Sequence, residues 1–161
     1  MAKELKTNAM RFLDKNKIDY KITVYDCPEF IDGITVANQL GQPLDETFKT
    51  LVAKGKSGEH YCFLLPADKE LDLKKAAKSV GEKSVELLHV KDITKVTGYV
   101  RGGCTPIGMK KQFMTVVHKS AEELPLFFIS GGRIGTQIQL SPQALVKAIR
   151  GKFEDILLQS E

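Results

Sequence analysis

Apolar positions along this chain recur with two periods, and the switches between them mark its elements. Over residues 7–16 the spacing of Ala9, Phe12 and Leu13 behind Thr7, a good N-cap, predicts a helix with one partly apolar face that runs on to Asn16. Residues 20–25 alternate instead, with Tyr20, Ile22 and Val24 on one side and Tyr25 on the other, which predicts a half-buried strand ended by Asp26-Cys27-Pro28. A short helix is expected from Thr35 as cap to Gly41 as terminator, and 43–46 reads as a polar turn.

The next two runs are the most apolar. Residues 48–53 form one strand, turned by 55–58 into a second at 60–65, where His-Tyr-Cys-Phe-Leu-Leu is almost continuously apolar, as expected of a central strand buried on both faces. Between 68 and 81, Leu73, Ala76, Ala77 and Val80 keep helical spacing while Lys74, Lys75 and Lys78 face out, and Gly81 closes the helix. A strand at 85–88 and a short helix at 89–96 follow. Strands are expected at 113–118, 126–130 and 136–140, the last two joined as a hairpin by Gly131-Gly132-Arg133-Ile134-Gly135. Ser141-Pro142 opens a final helix through Arg150, closed by Gly151, and 153–158 is a last strand or a docked tail. Strands in hairpins interspersed with helices imply a mixed sheet rather than a doubly wound parallel one.

One stretch fits neither period. Residues 97–108 read Thr-Gly-Tyr-Val-Arg-Gly-Gly-Cys-Thr-Pro-Ile-Gly, and so many glycines with a proline suit neither helix nor strand. Such a loop must be held from outside. Its use is close approach, with Gly102 and Gly103 able to present bare N–H groups to a carbonyl, carboxylate or phosphate; a wide hairpin loop without a ligand would use the same residues.

Composition narrows the classes. With 161 residues, of which 42% are hydrophobic and 27% charged, the chain reads as a single soluble domain over 1–161 that needs no staple. No apolar run approaches the ~20 residues of a membrane span, so no membrane partner is expected, and the absence of an apolar signal core points to the cytoplasm. Cys27, Cys62 and Cys104 are odd in number and widely spaced, which argues for reduced thiols. His60, His89 and His118 stand alone, so no metal or other cofactor is expected. A net charge of +4 favours approach to a polyanion without demonstrating it.

Candidate chemistry begins with Lys49, whose ammonium shares a strand face with Leu51 while Phe48 and Thr50 take the other. It reads either as a functional cation or as an edge lysine snorkelling to water. Tyr25 offers a phenol at a strand end. Cys104 lacks a neighbouring histidine or carboxylate to lower its pKa, and Ser130 lies in Ser-Gly-Gly rather than Gly-x-Ser-x-Gly. Neither glycine turn matches a phosphate-binding P-loop.

Taken in register, Phe48-Lys49-Thr50-Leu51, Thr97-Gly98-Tyr99, the 102–108 loop and Ser130-Gly131-Gly132 resemble the YbaK family of aminoacyl-tRNA deacylases, relatives of the editing domain inserted in bacterial prolyl-tRNA synthetases. The resemblance implies an α+β fold, a mixed, largely antiparallel, barrel-like sheet surrounded by helices. It implies Lys49 and Gly102 as catalytic residues, with Tyr25, Thr50, Gly103, Thr105, Pro106, Ser130, Gly131 and Gly132 binding substrate. It further implies cysteine removed from Cys-tRNA(Pro), with aminoacylated tRNA(Pro) and prolyl-tRNA synthetase as partners. Cys104-Thr105 departs from the aliphatic residue and serine expected before the proline, which bears on substrate range. Within this reading, backbone N–H groups of Gly102 and Gly103 stabilise the oxyanion, Lys49 orients the substrate, and a substrate thiol attacks its own carbonyl to leave as a thiolactone. A deacylase for alanine or serine, or a noncatalytic module that binds tRNA or a synthetase, are the alternatives.

Overall fold

A computed structural model of the chain describes residues 6–26 and 32–158, so Cys27 and Pro28 lie outside the described residues. Helix α1 (Asn8–Lys15) starts as expected, with the Thr7 hydroxyl accepting from Met10 N–H. Strand β1 (Tyr20–Val24) follows, then α2 (Gly33–Leu40), β2 (Phe48–Gly55), β3 (His60–Pro66), α3 (Leu73–Val80), β4 (Val85–Leu87) and α4 (Val90–Thr97). Past the glycine loop come β5 (Met114–His118), β6 (Phe127–Ser130), β7 (Thr136–Leu140), α5 (Pro142–Ile149) and β8 (Lys152–Glu154).

These strands make two sheets. One is antiparallel, in the order β1-β7-β6; the other is mixed, in the order β4-β2-β3-β5-β8, with β5 parallel to both β3 and β8. The mixed α/β architecture is as expected, and among the described residues a single parallel bridge, Thr47 to Phe128, joins the sheets.

The position of β3 follows from its alternation. Phe63 and Leu65 enter an apolar cluster with Ala76 and Ala77 of α3, while Leu64 points the opposite way, into a cluster with Leu13, Phe48, Phe127, Ile138 and Leu145. Phe48 and Phe127 meet edge to face at 5.1 Å across the sheet junction. Each such side chain contributes about 1.5–3 kcal/mol on burial, so β3, with neighbours on both edges and both faces, anchors the domain.

Several local expectations are corrected. Asp32, not Thr35, caps α2, its carboxylate accepting from Thr35 N–H. Arg150 rather than Gly151 takes the left-handed turn after α5, at φ 56°. Gly151 is needed for a different reason: a Cβ there would lie 2.8 Å from the Thr115 carbonyl oxygen of β5. Lys75 does not face freely outward, because it donates to Asp155 at 3.1 Å and to the Leu157 carbonyl. Strand β1 is shallower than its alternation suggests; it pairs only with β7, and Ile22 and Val24 stay exposed. The 153–158 segment is both strand and tail, since β8 pairs with β5 and Leu157 then bridges to Leu71.

The glycine loop is held from outside. Tyr99 Oη donates to the Ile107 carbonyl at 2.7 Å, Gln112 donates to the Pro106 carbonyl at 2.9 Å, and Ser130 Oγ donates to the Gly102 carbonyl at 3.2 Å. Its glycines answer to neighbouring backbone: a Cβ at Gly103 would stand 2.6 Å from Arg133 Cα, and one at Gly108 would stand 2.6 Å from the Asn8 carbonyl carbon.

Candidate active site

Strand β2 is forked. Its inner edge pairs with β3 along its length, from Phe48 with Pro66 to Lys54 with His60. Its outer edge is shared between two partners. Near Phe48 it meets β6 through the Thr47–Phe128 bridge; from Ala53 to Gly55 it pairs with β4, and Leu88 N–H reaches the Val52 carbonyl at 2.9 Å. Between these contacts the outer edge of β2 has no strand beside it among the described residues, and a cleft of about 420 Å³ opens there. Thr47 through Val52 line it consecutively, which a strand covered on both edges does not allow.

The opposite walls come from distant segments. Gly33 and Val36 of α2, Leu88, Val90 and Ile93 around α4, Gly102 and Cys104 of the glycine loop, and Ile129 and Ser130 of β6 converge there. Tyr25 also reaches the cleft, its N–H held by the Gly135 carbonyl at 2.9 Å. Of the residues singled out in the sequence, Tyr25, Lys49, Thr50, Gly102 and Ser130 therefore share one cavity.

Others do not line it. Gly103 spends its N–H on the Val100 carbonyl at 3.0 Å. Thr105 and Pro106 are buried beneath the loop. Gly131 and Gly132 pack against Thr136 and Thr7, and the Thr7 hydroxyl donates to the Gly131 carbonyl at 2.7 Å. Their glycines shape the wall from behind rather than facing the cavity.

Two polar features stand out at the fork. Lys49 is half-buried, and burial pushes its ammonium pKa below the ordinary 10.5 while Glu70 and Asp68 pull it partly back. Thr50 Oγ1 is shut off from solvent and has no hydrogen-bond partner among the described residues, as is Thr105 Oγ1. An unsatisfied buried hydroxyl costs about 1–3 kcal/mol, and Thr50 carries that cost in a residue that lines the cleft. Gly102 N–H likewise makes no hydrogen bond among the described residues. Cys104 is a poor nucleophile, because burial pushes its thiol up to about 11.

Some polar cleft residues were not foreseen. Asp32 and Arg101 lie on the walls, and Gln137 of β7 pairs amide to amide with Gln42. The Gln42–Gln137 pair spans 95 residues, so no local pattern announces it. Asp32 carried a signal that was available, an Asp three positions before a helical Thr.

Residues 32–148 match the model of the aminoacyl-tRNA editing domain. The chain is 43% identical over 152 residues, covering 94% of it and 93% of its relative, to a candidate Cys-tRNA(Pro)/Cys-tRNA(Cys) deacylase, EbsC, of Enterococcus faecalis. It is also 35% identical over 75 residues to a proline–tRNA ligase of Fervidobacterium nodosum, a match spanning 47% of this chain and 13% of the ligase. A crystal structure described as a candidate trans-editing enzyme for prolyl-tRNA synthetase superimposes with a TM-score of 0.81 over 97% of this chain and 100% of its own, at 21% identity, showing a shared fold. The forked strand and its cleft thus lie in a chain that belongs to the aminoacyl-tRNA editing domain family.

Proposed function

We propose that this protein is a trans-acting deacylase that removes cysteine from mischarged Cys-tRNA(Pro), working beside prolyl-tRNA synthetase in the cytoplasm. The observation that carries the reading is the fork in β2, which brings Lys49, Thr50 and Gly102, whose N–H makes no hydrogen bond among the described residues, to the walls of one cavity. Near-full-length similarity to EbsC supports the substrate. No helix among the described residues is long and apolar enough to cross a membrane, consistent with a tRNA substrate met in solution.

Deacylation breaks the ester between the amino acid and the terminal ribose, and its tetrahedral intermediate bears an oxyanion. The Gly102 N–H, which meets no acceptor among the described residues, donates to that oxygen; Gly103, whose N–H is engaged, drops out of this role. Lys49 orients the ester or the adjoining phosphate as a point charge, and Thr50 Oγ1 holds a substrate oxygen. Among the described residues no histidine lines the cavity and the one carboxylate there serves as a helix cap, so the nucleophile comes from the substrate. Its thiol attacks its own carbonyl carbon: the sulfur–carbon bond forms as the sulfur gives up its proton, the ester carbon–oxygen bond breaks, and the leaving ribose oxygen takes up that proton. The product leaves as a thiolactone that water opens. Here the protein supplies proximity and charge stabilisation.

Purified protein incubated with Cys-tRNA(Pro) and prolyl-tRNA synthetase is expected to shorten the ester lifetime. An unchanged lifetime refutes the reading. A panel of Ala-, Ser- and Pro-charged tRNA(Pro) then fixes the amino acid, cysteine being expected to be released fastest.

A further inference from the structure

The cleft contains one acid that the proposed reaction leaves unused. Asp32 is the only carboxylate among the described residues lining it. It sits at the start of α2, directly before Gly33 and one turn before Val36, which both line the same wall. Its place is fixed: Oδ1 accepts from Thr35 N–H at 2.8 Å, and Gly33 packs so closely that an added Cβ would lie 3.2 Å from Ala67 Cβ.

Its charge is held as well. The Thr35 N–H group, followed by the Thr35 hydroxyl, lowers the Asp32 pKa, so the group is a carboxylate throughout the neutral range. Capping α2 uses only part of that charge. Asp32 takes part in no ion pair among the described residues, and the carboxylates that act on Lys49 are Glu70 and Asp68 instead. A carboxylate accepts about four hydrogen bonds, so capping α2 leaves capacity for another donor.

The substrate offers one group that matches. An amino acid esterified to tRNA has lost its carboxylate and keeps an α-amino group that takes up a proton near neutral pH. Every other charge on the RNA is negative. A carboxylate facing an RNA-binding cleft repels phosphate and finds its partner only in that ammonium.

We propose that Asp32 binds the α-ammonium of the esterified amino acid, so that the protein acts on aminoacyl-tRNA and spares tRNA whose amine is blocked, as in a peptidyl chain. This inference rests on the deacylase reading for its substrate. It assigns Asp32 a binding role, distinct from the cation, hydroxyl and amide at the ester.

The test separates that role from helix capping. Asn and Ser cap helices about as well as Asp, so Asp32→Asn and Asp32→Ser remove the charge and leave α2 capped. The probes are the nonhydrolysable amide analogue of 3′-cysteinyl-adenosine and its N-acetyl derivative, titrated by calorimetry. The wild type is expected to bind the free amine about 10- to 100-fold more tightly, as suits a charge-assisted hydrogen bond. In both variants that preference is expected to fall to within about twofold, with unchanged thermal midpoints. A wild type that binds neither analogue or both equally, variants that keep the preference, or variants that weaken both analogues alike would each overturn the proposal. Turnover of Cys-tRNA(Pro) is measured separately, so an amine preference without ester cleavage refutes the deacylase reading alone.

Discussion

Strands β2 and β3 lie side by side, paired residue for residue, and have opposite characters. β3 has a strand on each edge and an apolar cluster on each face, and Cys62 through Leu65 are fully buried. β2 has the same partner on its inner edge but a divided outer edge, and it carries a half-buried lysine and an unsatisfied threonine. The difference teaches where this fold can place chemistry. A strand saturated with neighbours maximises burial and leaves nothing to a ligand; a strand deprived of a neighbour for a few residues keeps part of its surface against a cleft instead of another strand. The site is built at the gap and held in place by the saturated strand.

That contrast can be broken at either strand. The largest effect is expected in β3, where Phe63→Ala removes a fully buried ring and costs about 3–5 kcal/mol, read as a lower urea midpoint. Deacylation measured on the fraction still folded should be nearly normal; a selective loss of activity would mean that β3 does more than support.

Lys49→Ala should do the reverse, lowering the deacylation rate by about 100-fold or more with stability changed by less than about 1 kcal/mol. A fully active variant removes Lys49 from the mechanism. The pH response sharpens this. Burial lowers the Lys49 pKa, so its positive charge is present at neutral pH and is lost as pH rises, starting below the ordinary 10.5. Binding of a nonhydrolysable substrate analogue should weaken over that alkaline range in the wild type and stay flat in Lys49→Ala.

The smallest effect has two signs. Thr50→Val replaces an unsatisfied hydroxyl with a methyl of similar shape, so stability should hold or rise by about 1 kcal/mol while deacylation falls about tenfold. Loss of both would show that the hydroxyl has a structural partner after all.

Much of this arrangement was legible in the sequence where it is local. The hairpin of β2 and β3, the capped α1, the glycine turn before β7 and the proline-led α5 each follow from a few adjacent residues, and Lys49 stood out as an ammonium in an apolar strand. The cleft itself was not legible without the family resemblance, because it depends on two strands, β4 and β6, sharing one edge of β2 from opposite directions in the sequence. Long-range polar pairs were equally silent: Lys75 with Asp155, and Gln42 with Gln137. The glycines show the limit from another side. Composition marked Gly103, and the family resemblance Gly131 and Gly132, as places for a ligand to approach, yet what approaches them is the chain's own Arg133 backbone, Thr136 and Thr7.

That bond between Thr7 and Gly131 has a bearing on how the protein is made. One hydroxyl caps α1 and also grips the turn behind the cleft, 124 residues further along the chain. A nascent chain grown only as far as Gly108 already contains Lys49, Thr50 and Gly102, but neither the serine that secures the Gly102 carbonyl nor the turn that α1 must clasp. Contacts of such long sequence separation form late, after their loop-closure entropy has been met. The cleft is therefore among the last parts to assemble, and a chain released before Gly131 has been added would hold Lys49, Thr50 and Gly102 without the walls that gather them.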